Sequence, residues 1–406
     1  MKPYLSQKFL RSIIFKTSAS VLGLIFAIGV LTKFSASFLQ TKLKTATISI
    51  EDTGPVTPGA RIAPSNSVSA PRLASSQSST VSVLHRALLV ALSSLRTETD
   101  PNKSRLLLEA LKAQLMRNDD KAEAVGTILE FLHSGRDATT GLAFRVGPNH
   151  VLAESPTLRT ALLDWLGQLN PVAAAQNAPL TFESRVSAEE YVMALRNFAR
   201  GYPERRDELR DYFNRLLSHT PWANPPSAGY LESFDVVPHL ADPSFIPPLS
   251  ALLAPTAQTS VRHAALVAMD RLVLTNPAGA LEELLQTKAF DAQPLLRASF
   301  IARADIRDAI QRQIVESYLL SPFLSDRELD KFVLLFPNAN RFLSFNLLTE
   351  SGGSSPTELA RLDAAALELV RAWRSEPRFS RLQSRLSQLE GRLRQHVESA
   401  IRGRYL

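Results

Sequence analysis

The chain has 406 residues, 45% of them hydrophobic and 21% charged, with 46 basic against 39 acidic side chains and no cysteine. The missing cysteines exclude disulfide scaffolds, thiolate zinc sites, iron–sulfur clusters and cysteine nucleophiles together. The formal charge of +7 resides in residues 1–50, from Lys2 to Lys44 with no acid among them, so the remainder sums to zero and nucleic-acid binding is not expected from net charge.

Between Lys16 and Lys33 every residue from Thr17 to Thr32 is uncharged, with a strongly apolar centre from Val21 to Leu31. As a helix this stretch spans roughly 24 Å, short of the usual hydrocarbon thickness, with lysines at both ends able to snorkel. Four basic residues precede it and three follow, which favours an N-terminus inside and the rest outside the cytoplasm. The expectation is a single-pass membrane anchor over residues 17–32. The competing readings are a signal peptide cleaved near Ser37, at Ser35-Ala36-Ser37, which would leave a secreted protein, and a buried soluble helix. Ala19, Gly23 and Ala27 recur every four residues, a spacing compatible with close helix pairing and equally with ordinary small-residue content. Residues 51–80 change character, with Pro55, Pro58, Pro64 and Pro71 and a serine-rich tail. So little apolar surface predicts a disordered tether.

From residue 81 onward the periodicity is helical. Leu84, Leu88, Leu89, Ala91 and Leu92 form one apolar face, Leu106, Leu107, Leu108, Leu111 and Leu115 a second, and Val125, Ile128, Leu129 and Leu132 a third before Gly135. Ser155-Pro156 reads as an N-cap and first helical proline, opening a helix through Trp165 and Leu169. Ser187 with Glu190 reads as a capping box ahead of Tyr191 and Phe198. Residues 141–153 form either a short hairpin or a long loop. The fold class expected is all-α.

Short helices are predicted at about 189–200, 204–217, 228–237, 244–254, 260–274 and 278–287, with Pro, Asn or Asp at the joints. Helices too short to bury their stripes alone must stack on neighbours, as in a solenoid, with a generic bundle as the alternative. The clearest unit runs from Asp242-Pro243 through Leu252-Leu253, then from Val261-Arg262 through Ala265 and Ala268 to Leu272. It resembles a HEAT repeat, whose first helix carries a proline and a leucine pair, here Pro247, Pro248, Leu252 and Leu253. The family's second helix opens with Val-Arg followed by alanines at close-packing positions. The resemblance covers residues 242–274. Gln258-Thr259-Ser260 stands where the family usually has an aspartate in the turn. It implies a repeat domain over 81–350 and a binding or scaffolding surface. Further helices are predicted at 304–320, 326–336, 357–375 and 378–402, with Ser351 to Pro356 as a flexible break before a C-terminal arm over 356–406.

Motifs for chemistry are scarce. No phosphate-binding loop, dinucleotide fingerprint, nucleophile elbow or paired-histidine helix occurs, and none of the seven histidines has another three to five residues away. No catalytic residue, cofactor or metal site is assigned. His263, on the second helix of the repeat unit, is read as structural or solvent-facing. The 133–165 region gathers His133, Arg136, Asp137, Arg145, His150, Glu154 and Asp164 around a long loop and is the place where an enzyme site would lie. The run Glu204 to Asp211 alternates in sign and reads as a solvated face.

In the last helix Phe379, Leu382, Leu386, Leu389 and Leu393 form a short heptad seam, flanked one residue earlier by Arg378, Arg381, Arg385 and Arg392. Those arginines are the candidate partner-binding residues, facing a second copy, an anionic surface or an acidic partner. The plainer alternative is a helix that packs its leucines on the body while its arginines face water. The functional expectation is an anchored, exported scaffold or adaptor for an unidentified protein partner. The alternative is an exported enzyme with its site in the 133–165 region.

Overall fold

The computed structural model describes residues 82–117, 119–339, 346–350 and 354–401. The expected membrane segment at 17–32, the expected tether at 51–80 and part of the break at 351–356 lie outside the described residues. Among the described residues no helix is long and apolar enough to cross a membrane.

Three helices open the body: α1 (Val83–Thr97), α2 (Pro101–Arg117) and α3 (Lys121–His133). Ser82 and Asp120 cap α1 and α3 by accepting from the Leu84 and Glu123 amides, and Pro101 opens α2 where no amide donor is needed. Their leucine faces interlock, burying Leu88, Leu95, Leu111 and Leu115. The chain then forms the hairpin rather than a loop. Its strands β1 (Arg145–Val146) and β2 (Leu152–Glu154) are antiparallel, with Arg145 opposite Glu154 and Val146 opposite Leu152.

The next helix, α4 (Leu158–Leu169), begins two residues later than the sequence suggests. Ser155 is not its cap, because the Ser155 carbonyl accepts the Thr140 hydroxyl as the ladder ends. Thr157 caps it instead, in extended backbone, with its hydroxyl accepting from the Thr160 amide at 3.2 Å.

Helix α5 (Pro171–Ser184) has no counterpart in the periodicity. Its core contacts are small, Ala174, Ala175 and Ala178, and Pro179 lies in its interior, so it shows no stripe of large residues. Small residues are what its packing against α6 (Ala188–Gly201) requires. A Cβ on Gly201 would stand 2.3 Å from the Pro171 carbonyl oxygen and 2.4 Å from Ala175. The sequence's Ser187 cap is present, accepting from the Glu190 amide at 3.1 Å. The Glu190 carboxylate does not return to the cap but binds Arg159.

Helix α7 (Arg206–Leu217) carries the alternating charges as i,i+3 pairs, Arg205 with Glu208 and Arg210 with Asp207, and Arg210 also reaches Asp242. After a single turn at 220–223, the helix expected over 228–237 is divided. α8 (Ala228–Glu232) and α9 (Val236–Leu240) flank a tighter turn at 233–235. Then come α10 (Ile246–Ala251), α11 (Thr259–Thr275), α12 (Pro277–Gln286) and the unanticipated α13 (Pro294–Ile301). The body ends with α14 (Ala309–Leu320), α15 (Asp326–Leu335), α16 (Pro356–Ser375) and α17 (Gln383–Ile401). In the 242–274 unit, Val261, Ala265 and Ala268 are buried, while Arg262 and His263 are exposed.

Apart from the hairpin the described fold is all-α, and its many packed helices are consistent with a helical repeat. Successive helices pair, α5 with α6, α11 with α12 and α16 with α17. Alternate helices also meet, α4 with α6, α9 with α11, α12 with α14 and α13 with α15. Ion pairs with at most a sixth of either side chain exposed stitch these neighbours. Arg159–Glu190, Arg196–Asp164, Arg271–Asp235 and Arg297–Glu328 link residues 31 to 36 apart, and Arg303–Asp270 adds a fifth. Such pairs add little net stability against an apolar substitute but specify one arrangement of helices, because breaking one leaves a charge stranded.

Candidate functional site

One buried ion pair anchors the site. Asp164 on α4 and Arg196 on α6 are both fully buried, 2.5 Å apart. The Asp164 carboxylate also accepts from the Leu152 amide and the Gln168 side chain. Arg196 donates onward to the His150 carbonyl at 2.9 Å. That carbonyl lies at the hairpin tip, where Asn149 and His150 both adopt left-handed backbone, at φ 58° and 59°. Two consecutive non-glycine residues in that region cost free energy that surrounding bonds must offset. Arg196, with Arg200 donating to the Asn149 carbonyl at 3.4 Å, supplies those bonds and so aims the His150 ring.

The ring meets an unexpected neighbour. His150 Nδ1 lies 2.6 Å from the Asn346 carbonyl oxygen, and residues 346–350 run from there across the elements carrying Glu232, Asp235 and Arg271. The Asn346 amide donates to Glu232. Asp235, in the turn between α8 and α9, accepts the consecutive amides of Leu348 at 2.6 Å and Thr349 at 2.8 Å. The same carboxylate accepts the Thr349 hydroxyl and Arg271 Nη1, the latter at 2.6 Å. Arg271 Nη2 donates to the Thr349 hydroxyl oxygen and, at 3.3 Å, to the Glu350 carbonyl. Leu347 is wholly buried. Side chains from the hairpin, the α8–α9 turn and α11 therefore read the backbone of one segment, plus one leucine and one hydroxyl.

Glu232 is the least satisfied member. Its Oε2 is buried and, among the described residues, without a hydrogen-bond partner. Burial first, then the neighbouring Asp235 carboxylate, push its carboxyl up to about 7, against which the Asn346 amide acts only in part. His239 on α9 is held below its ordinary value by burial and by Arg206.

No family model, curated protein or solved structure matches the chain. The site's own geometry is what identifies it.

Of the polar residues in the 133–165 region, the structure draws His150 and Asp164 into this site. Glu154 is instead bound by Arg105 and Arg145. Asp137 accepts the Ala138 and Arg159 amides and, with His133, lines a separate cleft of about 490 Å³ that also includes Arg159 and Asn177. His133 Nε2 lies 3.0 Å from the Asn177 side-chain oxygen there. Asp137 and His150 thus belong to different hydrogen-bond networks. A larger cleft of about 590 Å³, lined by residues of α13, α14 and α15, holds Glu328, which accepts from both Arg297 and Tyr318. Among the described residues no group of three or more histidines and acids is placed to hold a metal.

The four C-terminal arginines bind groups of this same chain. Arg378 pairs with Glu316 and Glu376, Arg381 donates to the Leu319 and Ser321 carbonyls, Arg385 pairs with Asp326 and Asp330, and Arg392 donates to the Phe336 carbonyl. The seam residues Phe379, Leu382, Leu386, Leu389 and Leu393 are buried. Trp373 adds a bond from its indole to Glu316.

Sequence reasoning passed over Glu232, Asp235, Arg271 and residues 346–350 altogether. Each sits in an ordinary amphipathic context, and nothing in one sequence pairs residue 235 with residue 348. The one available signal was the apolar Leu347-Leu348 standing outside any helical period, close to the Ser-Gly break.

Proposed function

We propose that this chain is a membrane-anchored scaffold or adaptor, its N-terminal segment in the bilayer and its helical body outside the cytoplasm, which holds an extended segment of a protein partner. The repeat reading of the body is HEAT-like. It is supported by sequential helix pairs, by Arg–carboxylate links recurring 31 to 36 residues apart, and by the buried Val261, Ala265 and Ala268 of the 242–274 unit. The observation that carries the functional reading is the manner in which residues 346–350 are held. Four of these five consecutive residues are gripped through main-chain groups by side chains of three separate elements, and the fifth, Leu347, by burial of its side chain, which is how a scaffold grips a peptide. The membrane reading rests on the uncharged stretch 17–32 and its flanking lysines.

The test is a fractionation followed by purification of the intact chain. Membrane association should survive alkaline carbonate, and the helical body should be digested by protease added on the outer side. Mild detergent should then yield a protein partner in fixed stoichiometry, lost on Asp235→Lys. Release by carbonate, or purification with no stoichiometric partner, would refute the proposal.

A further inference from the structure

Glu232 presents a question that residues 346–350 do not answer. The Asn346 nitrogen, being an internal amide, brings one neutral N–H to a carboxylate whose Oε2 remains buried without a partner among the described residues. An unsatisfied buried carboxylate oxygen is costly, and the group best fitted to satisfy it is a cation with several donors. A chain that began at this position would put such a cation there, because its first nitrogen would be an α-ammonium group with three N–H donors. The other contacts would be unchanged. His150 would still donate to the first carbonyl, Asp235 would still accept the third and fourth amides, and Arg271 would still hold the threonine hydroxyl.

We propose that the groove formed by His150, Glu232, Asp235 and Arg271 captures the free N-terminus of a partner protein, of the form ammonium-x-Leu-x-Thr, and that Asn346–Glu350 is the internal segment it displaces. This inference rests on the scaffold reading above and names the chemistry of the partner. Leu347 and Thr349 supply the buried side chain and the bonded hydroxyl of the grip, Leu348 packs partly against the core, and the exposed Glu350 carboxylate reaches only to 4.0 Å from His150 Nε2, so a second chain can supply every group. The internal segment has the advantage of tethering, equivalent to a local concentration on the order of millimolar. The incoming N-terminus has the advantage of charge, since it alone satisfies both oxygens of Glu232.

The experiment measures binding of a dye-labelled synthetic peptide, Asn-Leu-Leu-Thr-Glu, to the purified 406-residue chain in detergent, with its N-terminus either free or acetylated. The double substitution Leu347→Ala with Thr349→Ala weakens the internal competitor. On that variant the free peptide should bind at least about tenfold more tightly than the acetylated one, a factor expected of a charge-assisted bond at a buried carboxylate. Glu232→Gln should erase the difference between the two peptides. Equal binding of both peptides, or no binding of either, overturns the proposal.

Should the double variant fail to fold, hydrogen exchange on the unmodified chain decides the matter. Saturating free peptide should accelerate exchange at the Leu348 and Thr349 amides and the acetylated peptide should not, and absence of that acceleration overturns the proposal. A partner that co-purifies through Asp235 while neither peptide binds would sink this inference and leave the scaffold reading standing. Selective binding of the free peptide with no co-purifying partner would do the reverse.

Discussion

The Asp164–Arg196 pair holds the hairpin, and through it the groove. Consider Asp164→Leu. Both partners are fully buried, so the change strands a guanidinium away from water and leaves the Leu152 amide without its acceptor. Breaking a buried pair from one side costs about 3–5 kcal/mol, and an orphaned amide about 1 more, against total stabilities of about 5–15 kcal/mol. The single variant should therefore lose a large share of its stability. Arg196→Met should cost at least as much as the broken pair, because it also removes the donor to the His150 carbonyl, although Asp164 keeps the Leu152 amide and Gln168 as donors. Combining both removes the charge conflict and leaves only lost hydrogen bonds, so the double variant should be less destabilised than the sum by about 3 kcal/mol. Urea denaturation of the four proteins, followed by far-ultraviolet circular dichroism, gives the cycle. If the two changes add to within about 0.5 kcal/mol, the pair is not coupled and the account of how His150 is aimed fails.

Glu232 predicts a particular dependence on pH. Its carboxyl lies at about 7 in the folded chain against an ordinary 4.5, so between those values the folded state binds the extra proton. Stability present below about pH 4.5 is thus lost as the pH rises through 7, by up to about 3 kcal/mol, and Glu232→Gln should flatten the melting temperature between pH 5 and 8. An unchanged slope would count against the assignment. Gly201→Ala should force α5 from α6 and destabilise the chain by about 1–3 kcal/mol in thermal melts, since the added carbon meets backbone rather than a yielding side chain. Leu389→Ala, in the fully buried C-terminal seam, should cost about 2–5 kcal/mol without changing the mass measured by light scattering. A change of mass would mean that the seam binds a second copy.

The helices with large amphipathic stripes were legible, and α6, α11 and α15 fall within a residue or two of where periodicity sets them. Helix α5 was not, because close packing against Gly201 selects alanine and so removes the stripe that periodicity detects. Helix α13 is short and opens on Pro294, leaving too few turns to show a period. The split of α8 from α9 was hidden as well. Residues 228–237 read as one helix, and the tight turn within them is where Asp235 accepts its four donors. At the site, the sequence pointed to His150 and Asp164 for their company of charges, yet their partners come from far along the chain. A polar residue reads as ordinary surface until its tertiary neighbour is known.

The bond from His150 to Asn346 closes 196 residues of chain. Helical arrays whose units touch only their neighbours unfold piecemeal, from whichever end or weak unit frays first. Here the same five residues join the hairpin tip to the turn before α9 and to α11, so the helices between them cannot open one at a time without releasing that tie. The body should therefore melt as a unit from about the hairpin to α11, at the cost of slow folding, since the tie forms only after a long loop has closed. Anything that displaces residues 346–350 would then do more than vacate a groove. It would free the helices between the hairpin and α11 to open separately.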